Sequence, residues 1–235
     1  MTDRPILFSS PMVRALLDGR KTQTRRILSF QSTLLNGKPW SKFTKAQEWD
    51  WRKAFVDPGP SPAGNPGPYL KLPWLSGDTD PFDGTTHRVY PKMQTGDRLW
   101  VKETHARVGD NGDDHMACPD LARLVYYRAD DVQPELSRWR PSIFMRRQDS
   151  RITLIVTEVR VERLQEISIA DALAEGVFVP EAQYAQQGEA APRLAYACLW
   201  EEINGPGTWD ANPWVAAYTF KVIKKNIDQI AKVAA

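Results

Sequence analysis

The sequence is poor in the residues that build metal sites and disulfide frameworks. It contains 2 cysteines and 3 histidines among 235 residues, and the only close pair of soft ligands is His115-x-x-Cys118. Zinc sites usually take their ligands from pairs at short, regular spacings. We therefore expect no metal and no cofactor. Because Cys118 and Cys198 lie far apart, the chain also lacks the cysteine pattern of a small disulfide-stabilised domain.

Long apolar runs and a strong charge imbalance are absent as well. No stretch reaches the roughly 18 apolar residues of a transmembrane helix, and residues 1–5 lack the apolar core of a signal peptide. We therefore expect no membrane partner and a cytoplasmic location, in a bacterium or in a cell infected by a phage. The net charge is only +2. Any contact with nucleic acid must therefore come from local basic patches.

The composition is that of a globular protein with a sizeable core. Hydrophobic residues make up 42% and charged residues 26% of the chain, which is ordinary for folded domains. We predict one domain over residues 1–235, with a long insertion at about 29–95 and a short tail at about 224–235. The insertion is rich in tryptophan, proline and glycine and follows neither a helical nor a strand period. We expect it to pack through its aromatic side chains.

Short apolar patterns separated by turns predict an α+β fold. Many short strands with two or three small helices favour a curled or closed sheet of mostly antiparallel strands. The parity of the apolar residues changes near Thr157, which predicts a bulge. The predicted elements are a strand at 5–8, a helix capped by Ser10 and ended by Gly19, strands at 22–28, 98–104, 124–128 and 151–164, helices at 168–176 and about 192–203, and a strand at 214–223. In the last strand, the residues expected to alternate inward are Trp214, Ala216, Tyr218, Phe220 and Val222.

The segment 19–26, Gly-Arg-Lys-Thr-Gln-Thr-Arg-Arg, is the most informative part of the chain. Lys21 and Thr24 form a candidate pair of base and nucleophile. A desolvated lysine near other cations loses its proton more easily, and a neutral amine can accept the proton of a hydroxyl. Since side chains alternate along a strand, this pairing requires the strand to begin near Thr22 or Gln23. The alternative is a basic loop that binds phosphate groups.

Gly19-x-Lys21 followed by Arg26 resembles the signature of the ASCH domain, a relative of the PUA RNA-binding domain. The signature has a glutamate where this chain has Thr24. This departure is similar to the branch that hydrolyses N4-acetylcytidine, in which the stretch reads Gly-Arg-Lys-Thr-x-Thr. The resemblance implies a PUA-like β-barrel in which Lys21 is the base, Thr24 the nucleophile and a glutamate on a later helix the acid. It covers residues 5–28, 95–104 and 150–223.

Glu175 is the candidate for that acid. Ser168 and Asp171 are typical of a helix N-terminus, with a capping hydroxyl and an acidic residue in the first turn. Gly176 predicts the end of this helix, and Glu175 is the residue directly before it. Its place in a short helix after a long β segment is similar to that of the family's acid. The alternative is an ordinary solvated glutamate.

Five further residues are assigned to substrate binding. Arg20 and Arg26 can hold a phosphate group or polarise a carbonyl. Trp100 and Trp139 can stack on a base, although packing in the core is the alternative for each aromatic residue. Glu103, on the strand predicted at 98–104, is the second candidate for the acid.

The leading functional hypothesis is a metal-independent amidohydrolase that removes the acyl group from N4-acylated cytosine nucleosides such as N4-acetylcytidine. Its partner is then a small-molecule nucleoside. One alternative is a non-catalytic module that binds RNA or a modified base, and another is a ribonuclease that uses the same basic cleft. The sequence makes no prediction of the oligomeric state.

Overall fold

The structure, a computed structural model, has a mixed α+β fold with several sheets and few helices. It describes residues 2–28, 34–35, 38–39, 50–73, 87–107, 124–131 and 138–231. The strands are β1 (Asp3–Leu7), β2 (Gln23–Ile27), β3 (Leu34–Leu35), β4 (Lys38–Pro39), β5 (Phe55–Asp57), β6 (Tyr69–Leu72), β7 (His87–Val89), β8 (Arg98–Lys102), β9 (His105–Arg107), β10 (Val125–Tyr127), β11 (Thr153–Arg163) and β12 (Trp214–Ile223). The α-helices are α1 (Ser10–Leu17), α2 (Ile169–Ala174), α3 (Glu181–Gln187) and α4 (Ala191–Asn204).

The main sheet has five strands in the order β1-β8-β11-β12-β2. β1 pairs with β8 in parallel, and the other ladders are antiparallel. The register of β11 against β12 shifts between Val156 and Glu158, so the bulge predicted near Thr157 is confirmed. The edges β1 and β2 approach each other where the Arg26 side chain donates a hydrogen bond to the Leu7 carbonyl (3.0 Å). Within the described residues no ladder joins these two strands, so the sheet is curled without closing into a barrel.

Two apolar clusters cover the two faces of β12. The larger cluster lies against α1 and includes Leu16, Leu154 and Tyr218. The smaller one contains Val215 and is formed mainly by residues of α2, α4 and the segments next to them. The prediction that only alternate residues of β12 point inward is therefore incomplete, because Val215 and Ala217 on the second face are buried too.

Helix α1 and the turn after it position residues 19–26, the signature segment. The prediction that Ser10 caps this helix is wrong, because Ser9 is the N-cap and Ser10 is already helical. Gly19 follows the helix with a φ of +77°, a conformation that glycine adopts without strain. The next strand, β2, begins at Gln23.

The predicted insertion at 29–95 contains more regular structure than its sequence indicated. Strands β5, β6 and β7 form an antiparallel sheet, and three residues of β6 are buried: Tyr69, Leu70 and Leu72. The insertion also packs through an aromatic residue, since Trp51 contacts the main core. The backbone carbonyl of Trp51 accepts hydrogen bonds from the Arg163 and Trp214 side chains. Trp40, Trp49 and Trp74 lie outside the described residues.

No helix of the described ranges is long and apolar enough to cross a membrane. The same ranges contain no group of three or more histidine, cysteine, aspartate or glutamate side chains arranged to hold a metal ion. His115 and Cys118, the soft ligand pair of the sequence, lie outside the described residues. The predicted tail contains a short 3₁₀ turn at Ile227–Gln229.

Candidate active site

A cavity of about 640 Å³ opens between the two edge strands of the main sheet. Residues of β1, β2, α1 and α4 form most of its wall. Lys21, Thr24 and Glu175, the three residues expected to be catalytic, all line it. Its volume lies in the range of small-molecule sites, about 300–1,000 Å³. The cavity is therefore large enough for a nucleoside-sized ligand.

Backbone hydrogen bonds fix Lys21 in the turn between α1 and β2. Its N–H donates to the Ala15 carbonyl (3.0 Å), and the N–H of Thr22 donates to the Ala174 carbonyl (2.8 Å). Lys21 and Glu175 also form an isolated antiparallel bridge. The end of α2 is thus held directly against the residue that precedes β2.

Gly176 permits this close contact. It has a φ of +85°, and a Cβ atom at this position would lie 2.8 Å from Lys21 Cβ and 2.9 Å from Ala15 Cβ. Both its backbone conformation and the space around it therefore require glycine. This residue, predicted as a helix stop, is also a spacer that brings α2 against the lysine.

The side chains of Lys21 and Glu175 form a buried ion pair. Lys21 Nζ lies 2.9 Å from Glu175 Oε2 and 2.8 Å from the Glu175 carbonyl oxygen, and the side chains are only 2% and 4% exposed. Burial lowers the pKa of Lys21 from its usual 10.5, while the charge of Glu175 opposes this change. The cations Arg26 and Arg25 lower the pKa further. This environment favours the neutral amine more than solvent does.

Thr24 is the second residue of β2 and pairs with Tyr218 on β12. It is buried. Because β2 begins at Gln23, Lys21 precedes the strand, as a pairing of Lys21 with Thr24 requires. Among the described hydrogen bonds, none joins Lys21 Nζ to the Thr24 hydroxyl, since the lysine donates to Glu175. The two side chains share the cavity without a direct bond.

Arg25 also lines the cavity and binds carboxylates. Its guanidinium donates to Glu162 Oε1 (2.9 and 2.7 Å) and to Glu175 Oε1 (3.1 Å). It also lies 3.2 Å from Asp171 Oδ2. Its side chain is fully buried. Lys21 and Arg25 thus hold the two oxygens of the Glu175 carboxylate from two sides and fix its orientation.

Of the five predicted substrate-binding residues, only Arg26 lines the cavity. Arg20 is exposed and binds Asp18 (2.8 Å) and the Gly176 carbonyl (3.2 Å). It does not line the cavity.

Trp100, Glu103 and Trp139 also lie outside the cavity lining. Glu103 is buried and accepts two hydrogen bonds of 3.0 Å from Arg151. Burial raises the pKa of Glu103, and Arg151 opposes this change. Trp100 contacts the Lys102 ammonium, and Trp139 contacts the guanidinium of Arg128, the residue that follows β10.

Sequence reasoning missed several residues of the cavity wall. These residues are Arg4 on β1, Lys92 before β8, and Tyr218 on β12. Only Tyr218 could be found from the sequence, because the alternation of apolar residues in the last strand predicts that it faces inward. Arg4 and Lys92 are polar residues of ordinary segments, and only the curl of the sheet brings them to the cavity.

Comparisons with protein-family models, with curated proteins and with solved structures find no match to this chain. A function is therefore inferred from the chemistry of the cavity and from the signature segment.

Proposed function

We propose that this protein is a metal-independent amidohydrolase that removes the acyl group from N4-acylated cytosine nucleosides, such as N4-acetylcytidine. The observation that carries the proposal is the buried Lys21–Glu175 pair, which shares one cavity with Thr24. The resemblance of the signature segment to the ASCH domain supports it. The proposal includes the fold, in which the curled sheet corresponds to a PUA-like barrel opened between β1 and β2.

The first step is a proton transfer within the buried pair. The hydrogen bond of 2.9 Å from Lys21 Nζ to Glu175 Oε2 holds one proton between an amine and a carboxylate. Movement of this proton to the carboxylate produces a neutral amine and a carboxylic acid together. These are the forms that a general base and a general acid need.

The second step is attack of Thr24 on the acyl carbon. Lys21 takes the hydroxyl proton as Thr24 Oγ1 bonds to that carbon. Glu175 donates its proton to N4 as the carbon–nitrogen bond breaks, so cytidine leaves as the neutral amine. Water then hydrolyses the threonyl ester, releases the carboxylate product and restores the hydroxyl of Thr24. The sum of these steps is hydrolysis of one amide bond.

The wall of the cavity suits a pyrimidine nucleoside with an apolar acyl group. Aliphatic residues of β1, α1 and β2 can surround the acyl chain, and aromatic side chains can contact the base. The aromatic lining residues are Phe8, Tyr90, Tyr196, Trp200 and Tyr218.

The test is hydrolysis of N4-acetylcytidine by the purified full-length chain in the presence of EDTA. Chromatography should detect cytidine and acetate in equal amounts. Thr24→Ala should abolish release, whereas Thr24→Ser should retain part of it because the hydroxyl remains. Turnover by Thr24→Ala at the normal rate would contradict the assigned nucleophile. Absence of turnover by the folded wild-type protein on N4-acetyl and bulkier N4-acyl cytidines would contradict the activity.

A further inference from the structure

The cavity has an excess of positive charge. Its lining includes five cationic side chains and one carboxylate, that of Glu175. Lys21 and Arg25 form ion pairs with Glu175. The remaining three cations are not balanced by any acid of the lining: Arg4, Arg26 and Lys92.

Arg26 is a half-buried guanidinium without an acidic partner among the described residues. Its hydrogen bond goes to the neutral Leu7 carbonyl (3.0 Å), and its guanidinium lies over the Phe8 ring at 5.6 Å. Burial lowers the pKa of Arg26, and the charge of Glu175 opposes this change. A desolvated cation without a direct ion pair is unfavourable, so a bound anion would stabilise it.

Tyr218 lines the same cavity as the three unbalanced cations. Its hydroxyl accepts a hydrogen bond from the backbone N–H of Lys92 (3.1 Å). Burial raises the pKa of Tyr218, and the charges of both Arg26 and Arg4 oppose this rise.

Arg4 keeps donors available for a ligand. Its only ion pair among the described residues is a long contact from Nε to Asp97 Oδ2 (3.8 Å). That carboxylate is already engaged by the backbone N–H groups of Thr2 (2.8 Å) and Gln94 (3.0 Å). The Arg4 side chain is 48% exposed. Its two terminal nitrogens can therefore turn to a ligand in the cavity.

We infer that Arg4, Arg26, Lys92 and Tyr218 form a phosphate subsite, and that the substrate is an N4-acylated cytosine nucleotide. Arginine pairs hold phosphate oxygens through charge-assisted hydrogen bonds, and the phenol can add a donor. A mononucleotide fits because the cations line a single cavity. A polymer is usually bound by cations spread along an open groove.

The inference rests on the proposed function for the cytosine base, and a binding experiment tests the two separately. Cytidine 5′-monophosphate (CMP) and cytidine are titrated into the full-length protein by calorimetry at low salt. CMP should bind at least about tenfold more tightly than cytidine. This preference should shrink as sodium chloride is raised, because the added contact is ionic. Equal affinities, or no binding of CMP at millimolar concentration, would overturn the subsite.

Two variants test whether Arg4 and Arg26 bind the phosphate group. Arg4→Gln lies at the exposed side of the subsite and should reduce the ratio of CMP to cytidine affinity by about threefold to tenfold. Arg26→Gln should reduce it further. The control is Arg146→Gln, which removes the same charge from an exposed position outside the cavity. An unchanged ratio in a folded Arg4→Gln, or an equal loss in Arg146→Gln, would overturn the inference.

Hydrolysis rates test whether the nucleotide is the preferred substrate, separately from whether the subsite binds phosphate. N4-acetylcytidine 5′-monophosphate should have a kcat/KM at least about tenfold above that of N4-acetylcytidine, mainly through KM. Hydrolysis of the two substrates with equal kcat/KM would overturn the inference and leave the proposed function intact. A preference for CMP without any hydrolysis would instead support the phosphate subsite and refute the proposed function. Tighter binding of a short oligocytidylate than of CMP would overturn the choice of a mononucleotide.

Discussion

Lys21 is the residue whose protonation state the proposed reaction depends on. Burial lowers its pKa below 10.5, so the neutral amine forms at a lower pH than in solvent. The reactive form of the Lys21–Glu175 pair keeps one shared proton, so the rate should fall with rising pH along an alkaline limb whose midpoint lies below 10.5. Lys21→Arg should abolish turnover and keep the fold, because a guanidinium stays protonated. The pH dependence of kcat/KM and a circular dichroism spectrum check both expectations. Full activity in Lys21→Arg would exclude the lysine as the base.

Glu175 affects this titration in a direction that can be predicted. Its charge raises the pKa of Lys21. Glu175→Gln removes both that charge and the shared proton, so the alkaline limb should disappear and the remaining activity should rise with pH as the amine of Lys21 becomes neutral. The value of kcat should fall by about 100-fold or more, since the proton donor is lost.

The matched control is Glu103→Gln, which neutralises another buried carboxylate paired with an arginine. This residue lies outside the cavity lining. Its variant should keep both the rate and the alkaline limb. An alkaline limb that persists in Glu175→Gln, or is lost equally in Glu103→Gln, would disprove direct coupling of Glu175 to Lys21.

The signature segment identified individual site residues better than it identified their partners. Local chemistry singled out Lys21 and Thr24. The role of Arg25 was not predictable, because Glu162 and Glu175 lie 137 and 150 positions away. An arginine next to other arginines indicated a phosphate contact, whereas the fold surrounds it with carboxylates. Charge alone does not show whether a basic side chain faces solvent or a buried counter-ion.

At the scale of elements, the junction between α2 and β2 depends on Gly176. Gly176→Ala should lower the free energy of unfolding by about 1–3 kcal/mol through its positive φ. It should also reduce turnover, because the new methyl group would displace Lys21. Gly207→Ala is the control, with a φ of +77° and no atom within 4 Å of its added Cβ. It should lose stability and keep its activity. Urea denaturation and the hydrolysis assay separate the two effects.

The elements themselves were predictable where a strong period or a clear stop exists. β12 and α4 match their expected ranges within one residue because their apolar positions repeat regularly. β5 and β7 were missed because strands of 3 residues contain too few alternations to recognise. The burial of Val215 followed from a helix that packs on the second face of the sheet. No pattern within β12 reports that tertiary contact.

At the scale of the whole molecule, one ionic cluster joins both ends of the described chain. Asp3 in β1 binds Arg98 through two hydrogen bonds of 2.8 Å and Arg147 through one of 2.6 Å. Arg98 also donates to the Ile230 carbonyl, and Arg147 donates to Asp228. The parallel pairing of β1 with β8 spans about 95 positions. Sequence patterns gave no basis for predicting this pairing.

This cluster predicts how stability depends on pH. The hydrogen bonds from Arg98 and Arg147 hold the pKa of Asp3 well below its usual 3.8. A carboxylate whose pKa is depressed by folding contributes stability that is complete above 3.8 and is lost as the pH falls toward the lowered value. Asp3→Asn should therefore lower the free energy of unfolding at pH 7 by about 3 kcal/mol, because the buried Arg98 loses its counter-ion. The variant should also lose less stability than the wild type between pH 5 and pH 3. Urea denaturation at several pH values measures both effects, with the exposed Asp210→Asn as the control. Parallel pH profiles for the wild type and Asp3→Asn would show that Asp3 is not responsible for the loss in acid.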